Sequence, residues 1–128
     1  MLKKVLVVDD SALIHGMYQL VLLRYNCEMV KAMNGQEALD ILAVQRDFQL
    51  ILLDIHMPVM NGDEMISHLR ENDQYKNLPV IVISSESDPG RIEMIHKQGA
   101  IFIHKPFKPE TLKELIIAIT GVSNEDKD

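Results

Sequence analysis

The side chains best suited to chemistry in this sequence are three carboxylates, a hydroxyl and an ammonium: Asp9, Asp10, Asp54, Ser84 and Lys105. Asp9 and Asp10 follow an aliphatic run at residues 5–8, Asp54 follows another at 50–53, and Ser84 follows a third at 80–83. Lys105 comes just after a fourth run at 101–103. Short aliphatic runs that stop at a polar residue read as buried strands, so each group stands at the carboxyl end of a strand. If these strands lie side by side, groups scattered along most of the chain converge on one edge of a sheet. Three carboxylates packed together repel, and without a cation one of them takes up a proton or the site loosens. A hard divalent ion resolves the conflict. Oxygen donors suit Mg²⁺, which is held by one or two carboxylates and keeps positions open for water and phosphate oxygens. Zinc is disfavoured, because there is no CxxC and no HxxxH pair. A lysine and a serine hydroxyl beside a metal-bound carboxylate are the parts that stabilise a phosphoryl group in transfer. Asp54 would then be the carboxylate nucleophile.

Each part taken singly has a plainer use. An Asp-Asp-Ser turn at residues 9–11 serves as a helix N-cap. A serine ending a strand often only satisfies backbone groups, and a lysine before proline often marks a solvated turn. The agreement of order, placement and spacing is what favours a shared site.

The elements that must position these residues alternate along the chain. After the first strand a helical pattern carries Leu13, Met17, Leu20 and Val21, followed by a brief strand at 29–32. Asn34 and Gly35 open a helix with Ala38, Leu39 and Leu42 on one face, and residues 50–53 read as a strand buried on both sides. A loop at 58–62 leads to a helix with Met65, Ile66 and Leu69, after which Pro79 introduces the fourth strand at 80–83. Asp88 and Pro89 form an N-cap with proline in the first turn, and Gly99 stops that helix before the fifth strand. The last helix starts near Pro109 and Glu110, buries Leu112, Leu115, Ile116 and Ile119, and ends near Gly121. Five strands alternating with five helices predict an α/β fold, a doubly wound parallel sheet, because parallel strands need right-handed helical crossovers. In such sheets ligands sit at the carboxyl ends of the strands, where strand order reverses.

Bulk properties set the frame. A chain of 128 residues, nearly half apolar, makes one domain, here residues 1–121, with a short acidic tail at 122–128. The balance of 13 basic to 19 acidic residues, a formal charge of -6, gives no footprint for nucleic acid or an anionic membrane. Cys27, the single cysteine, makes no internal disulfide and reads as a buried, inert thiol. Lys3 and Lys4 lead into only a short apolar run before two aspartates, so no signal peptide is expected, and no run reaches membrane length. A cytoplasmic location is the expectation.

The segments VLVVDDS at 5–11, LILLDIHMPVMNG at 50–62, VIVISS at 80–85, GA at 99–100 and IHKPF at 103–107 closely resemble response-regulator receiver domains. The resemblance runs from Lys3 to about Thr120. It implies a flavodoxin-like sheet of order 2-1-3-4-5 and a two-component switch. Asp54 would be the phosphoacceptor and Mg²⁺ the cofactor, with Asp10, Asp54 and the main-chain carbonyl of His56 as metal ligands and Asp9 helping through water. Ser84 would bond the phosphoryl oxygen, and Lys105 would pair with the carboxylate and then the phosphoryl group. The Lys105–Pro106 peptide is expected to be cis. Phe102 would turn into the space Ser84 vacates and so change the face built from the fourth helix, fifth strand and fifth helix. It stands where the family often has tyrosine, so it brings no hydroxyl to a partner. His56 and Glu86 would tune hydrolysis of the acyl phosphate. The implied partners are a sensor histidine kinase or a histidine phosphotransfer protein and a downstream protein target, with the chain a monomer or a phosphorylation-dependent dimer.

Other classes fit less well. An aspartyl phosphatase of the haloacid dehalogenase type wants a second aspartate two residues after the nucleophile, where this chain has His56. A flavin carrier needs a hydroxyl- and glycine-rich loop after the first strand, where Asp9 and Asp10 would repel its phosphate. No GxxxxGK is present. A pseudo-receiver that never sees phosphate would have no use for the acidic pair and Lys105. His15, His68, His96 and His104 lack ligand spacing and read as surface or packing residues, and the methionines read as core filling. After Gly121 no output domain is legible. Both a freestanding receiver and a tail leading into a linker are compatible with that.

Overall fold

The structure, a computed structural model, describes residues 3–25, 27–56 and 59–120. Five strands, β1 (Lys4–Val8), β2 (Glu28–Ala32), β3 (Leu50–Leu53), β4 (Val80–Ser84) and β5 (Ile101–His104), form one sheet of order β2-β1-β3-β4-β5. All neighbouring pairs are parallel. The connections carry α1 (Ala12–Leu22), α2 (Gly35–Val44), α3 (Gly62–Glu71), α4 (Pro89–Lys97) and α5 (Pro109–Thr120), with a short 3-10 turn, Leu23–Tyr25, after α1. The expected fold class and strand order are therefore observed. The expected end of α5 near Gly121 and the acidic tail lie outside the described residues.

Strand alternation sorts the core into two layers. Val5, Val7, Leu50, Leu52, Ile81, Ile83 and Ile103 point to the side covered by α1 and α5. Leu6, Val8, Ile51, Leu53, Val80 and Val82 point to the side covered by α2, α3 and α4. The central strands are buried on both faces, which is why they read as unbroken aliphatic runs. α3 buries Met65, Ile66 and Leu69, and α5 buries Leu112 and Ile116 with Leu115 and Ile119 packed beside them.

The first helix departs from the sequence reading. Leu13, Met17 and Leu20 are exposed, at 76, 42 and 73 %. The buried face is His15, Tyr18, Val21 and Leu22. Counting aliphatic residues alone rotated the face, because a histidine and a tyrosine hold the inner positions. The methionines also divide: Met65 is core with Met60 packed against the same layer, Met29 packs against the layer on the other side of the sheet, and Met17, Met33 and Met94 are exposed. Cys27 is half-buried, and burial pushes its thiol up from the ordinary range.

Each of the first four helices carries a capping side chain, of which the one at Asn61 was not read from the sequence. Ser11, Asn34, Asn61 and Asp88 each accept a main-chain N–H from the first turn of α1, α2, α3 and α4. Gly99 follows α4 with φ of 81°, a left-handed conformation that glycine adopts without strain. The Lys105–Pro106 peptide is cis.

Candidate functional site

Asp9, Asp54 and Lys105 sit one step beyond β1, β3 and β5, where the ladder still holds their backbones. The amide of Asp9 donates to Ala32 at 3.0 Å, that of Asp54 to Val8 at 2.9 Å, and that of Lys105 to Ser84 at 2.9 Å. Neighbouring strands thus fix all three residues against one another. Asp9, Asp10 and Asp54 each offer a carboxylate oxygen within 4.8 Å of the others. The N-cap duty in the first turn falls to Ser11, whose hydroxyl oxygen accepts from Ile14. The aspartates before it are not required as caps.

Asp9 is 2 % exposed and Asp54 8 %. One Asp9 oxygen accepts the Ser11 N–H at 2.9 Å, while Oδ2 is buried and has no hydrogen-bond partner among the described residues. Lys105 Nζ stands 3.8 Å from that oxygen and 4.0 Å from Asp54 Oδ1, at the outer edge of ion-pair range. Burial pushes both carboxyls above the ordinary range. For Asp9 the Ser11 N–H opposes the rise and the charge of Asp54 adds to it. For Asp54 the opposing groups are Lys105 and the main-chain N–H groups of Ile55 and His56. Tyr18, buried under the pocket and stacked on Phe107 at 5.5 Å, has its phenol pushed up by burial and by the charges of Asp9 and Asp54.

A magnesium ion fits this donor set. Opposite oxygens around Mg²⁺ are about 4.2 Å apart. The three carboxylate oxygens lie within 4.8 Å of one another, the scale on which one such ion is shared, directly or through water. Asp9 Oδ2 makes no hydrogen bond among the described residues and both carboxyls are buried, so a divalent cation would relieve the cost of keeping them charged.

The remaining expected residues surround the pocket. Ser84 is fully buried and shares a face of β4 with Val80 and Val82, and its Oγ accepts the Glu86 N–H at 3.1 Å. His56 is exposed, with Nε2 3.4 Å from Glu86 Oε1. Phe102 pairs with Val82 across β4 and β5, is half-buried, and lies 6.2 Å from the His104 ring. An almost wholly apolar groove of about 390 Å³, lined by Ile14, Met17, Ser85, Lys105, Pro106 and Phe107, opens beside the lysine. A larger hollow of about 660 Å³ lies at the opposite edge of the sheet, before β3 and β4, and takes no part in this constellation.

Three nearby residues escaped the sequence reading. His15, expected at the surface or in packing, is buried and bonds the Asp9 carbonyl through Nε2 at 2.7 Å. Arg91 and Asp63 form a 2.6 Å ion pair that reaches Glu86. No local pattern announces a pair that far apart in sequence. His68, His96 and His104 are exposed.

Known proteins share both sequence and architecture with this chain. Residues 5–117 match the response regulator receiver domain. A chemotaxis protein CheY homolog of Campylobacter jejuni is 32 % identical over 94 % of this chain and 95 % of its own length. CheY1 of Helicobacter pylori is 32 % identical over 94 % and 99 %. Among solved structures, the chemotaxis response regulator CheY4 of Vibrio cholerae superposes with a TM-score of 0.83 at 35 % identity, covering 93 % of this chain and 99 % of that one. The receiver domain of a histidine kinase from Syntrophus aciditrophicus gives 0.84 at 28 %, covering 93 % and 90 %. With the match spanning most of the chain and the relatives aligned nearly end to end, this protein belongs to the response-regulator receiver domain family.

Proposed function

We propose that Asp54 accepts a phosphoryl group from a histidine kinase or a histidine phosphotransfer protein, in a Mg²⁺-dependent reaction that switches a protein-binding surface. The observation that carries this reading is the meeting of three carboxylates with the Lys105 ammonium at the carboxyl ends of β1, β3 and β5, with one buried Asp9 oxygen making no hydrogen bond among the described residues. A carboxylate oxygen of Asp54 forms the new O–P bond as the donor's N–P bond breaks, and the imidazole leaves with the bonding electron pair. Asp10, Asp54 and the main-chain carbonyl of His56 would hold Mg²⁺, with Asp9 acting through water. Bound there, the ion neutralises charge on the carboxylates and on the phosphoryl oxygens. Lys105 already lies between Asp9 and Asp54 and needs only a small shift to reach a phosphoryl oxygen on Asp54. Ser84 would turn its hydroxyl to another of those oxygens. Phe102 lies on the same side of the sheet as Ser84 and would fill the vacated space, altering the α4–β5–α5 face that a downstream protein reads or on which two phosphorylated copies pair. His56 and Glu86 flank the pocket and would set how quickly water removes the group.

The test is intact mass after incubation with Mg²⁺ and acetyl phosphate. The parent should gain one phosphoryl group, and Asp54→Asn and chelated samples should not. If Asp54→Asn labels like the parent, the assignment of Asp54 fails. If no condition labels the parent, the chain is an interaction module and not a phosphoacceptor.

A further inference from the structure

We infer that Arg91 is a positioning residue that holds the β4–α4 loop, and Ser84 with it, in the unphosphorylated arrangement; this rests on Asp54 being the phosphoacceptor. The guanidinium forks between two elements. Its Nε donates to Asp63 Oδ2 on α3 at 2.6 Å, and its Nη1 donates to Glu86 Oε1 in the loop at 3.0 Å. The second Glu86 oxygen accepts the main-chain N–H groups of Ser87 and Asp88, at 3.1 and 3.0 Å. The Glu86 N–H in turn donates to Ser84 Oγ. One chain of contacts therefore runs from the Ser84 hydroxyl through Glu86 and Arg91 to the first turn of α3.

Ser85, Ser87 and Asp88 are exposed, and the exposed His56 reaches the same Glu86 oxygen only at 3.4 Å. The charged side chains of the chain are better shielded, at 29 % for Arg91, 14 % for Glu86 and 35 % for Asp63, so solvent screens them only in part. The other oxygen of Asp63 is buried without a hydrogen bond among the described residues, so the carboxylate is held through its contact with Arg91. For Ser84 to face a phosphoryl group on Asp54, its hydroxyl must give up the Glu86 N–H or carry the loop with it. Either movement pulls Glu86 against an arginine anchored on α3. An interaction present in one state and weakened in the other biases the equilibrium toward the first. The Arg91 clasp thus lowers the affinity for any group that requires Ser84 to turn.

The test is calorimetric titration of the full chain with beryllofluoride, a phosphoryl mimic, in saturating Mg²⁺, for the parent, Arg91→Ala, Arg91→Lys, Asp63→Ala and the Arg91→Ala/Asp63→Ala double variant. Arg91→Ala and Asp63→Ala should bind about three- to tenfold tighter, and the double variant no tighter than Arg91→Ala. Arg91→Lys, which keeps the charge but not the fork, should show a smaller gain in the same direction. A purely structural arginine would leave affinity unchanged or weaken it. Parent-like or weaker binding by a variant that still melts cooperatively overturns the inference, as does a double variant whose gain is the sum of the two. If Arg91→Ala does not fold, Arg91→Lys and Asp63→Ala decide by the same criterion. A parent that does not bind beryllofluoride overturns the phosphoacceptor reading and this inference together, whereas a parent that binds while its variants match it overturns the clasp alone.

Discussion

His15 Nε2 lies 2.7 Å from the main-chain carbonyl oxygen of Asp9, and the imidazole is 2 % exposed. A carbonyl only accepts, so Nε2 is the donor, and Nδ1 is buried with no hydrogen-bond partner among the described residues. The bond ties α1 to the turn that aims Asp9 and Asp10. His15→Leu removes the donor and should cost about 1–2 kcal/mol in urea unfolding, together with weaker Mg²⁺ binding by calorimetry. His15→Gln keeps an N–H donor and should lose less. Parent-like stability and Mg²⁺ affinity in His15→Leu would reduce the ring to a space filler.

The crowding of Asp9 and Asp54 gives the metal-free protein an unusual pH dependence. Burial is the largest cause raising both carboxyls above their ordinary value of 3.8. The folded chain therefore binds these protons more readily than the unfolded chain. The stability contributed by the two groups is fully present below the ordinary carboxylate range and is lost as pH rises through the raised values. Asp54→Asn removes one of the crowded charges and should raise metal-free stability at neutral pH by about 1 kcal/mol, while shrinking the gain from Mg²⁺. In the parent, the rise in melting temperature on adding Mg²⁺ should diminish as pH falls, since protons compete for the same oxygens. Melting curves with and without Mg²⁺ between neutral and mildly acidic pH check both signs.

Gly62 passes so near the end of β3 that a side chain there has no room. A Cβ would meet the Asp54 carbonyl oxygen at 2.7 Å and the Ile55 Cα at 2.9 Å, both backbone atoms. Gly62→Ala should cost about 1–3 kcal/mol and weaken beryllofluoride binding by displacing Asp54. Gly16, inside α1, has nothing within 4 Å of the same position. Gly16→Ala should stabilise the fold by about 0.5–1 kcal/mol and leave binding unchanged. Opposite shifts in urea midpoint for the two variants are the expected result.

The site was legible because its residues end strands buried on both faces. Such strands appear in sequence as plain aliphatic runs, and the polar residue that stops each run is the one presented at the sheet edge. Asp9, Asp54 and Ser84 stand out for that reason, while Lys105 follows the edge strand β5, which is only partly buried. Arg91 and Asp63 do not, because an ion pair between two helices leaves no periodic trace and neither residue ends a strand. His15 was read only as a surface or packing histidine. A buried histidine whose partner is a backbone carbonyl looks in sequence like any other polar residue on a helix.

The same blindness rotated α1, and that difference is measurable. Tyr18 is 2 % exposed and stacks on Phe107, joining α1 to the segment that follows Lys105, whereas Leu20, only two positions on, is 73 % exposed. On a helix these positions lie on opposed faces, so only one of them can fill the core. Tyr18→Ala should cost about 3–5 kcal/mol, the usual range for deleting a buried aromatic ring. Leu20→Gln, and Leu13→Gln about two turns earlier, should each change stability by no more than about 0.5 kcal/mol. If the aliphatic face were the inner one the ranking would reverse, because a buried glutamine loses packing and strands an amide without partners. Urea unfolding of these three variants therefore distinguishes the two orientations of α1, and with them the placement of His15 behind the acidic pocket, since His15 and Tyr18 share one face.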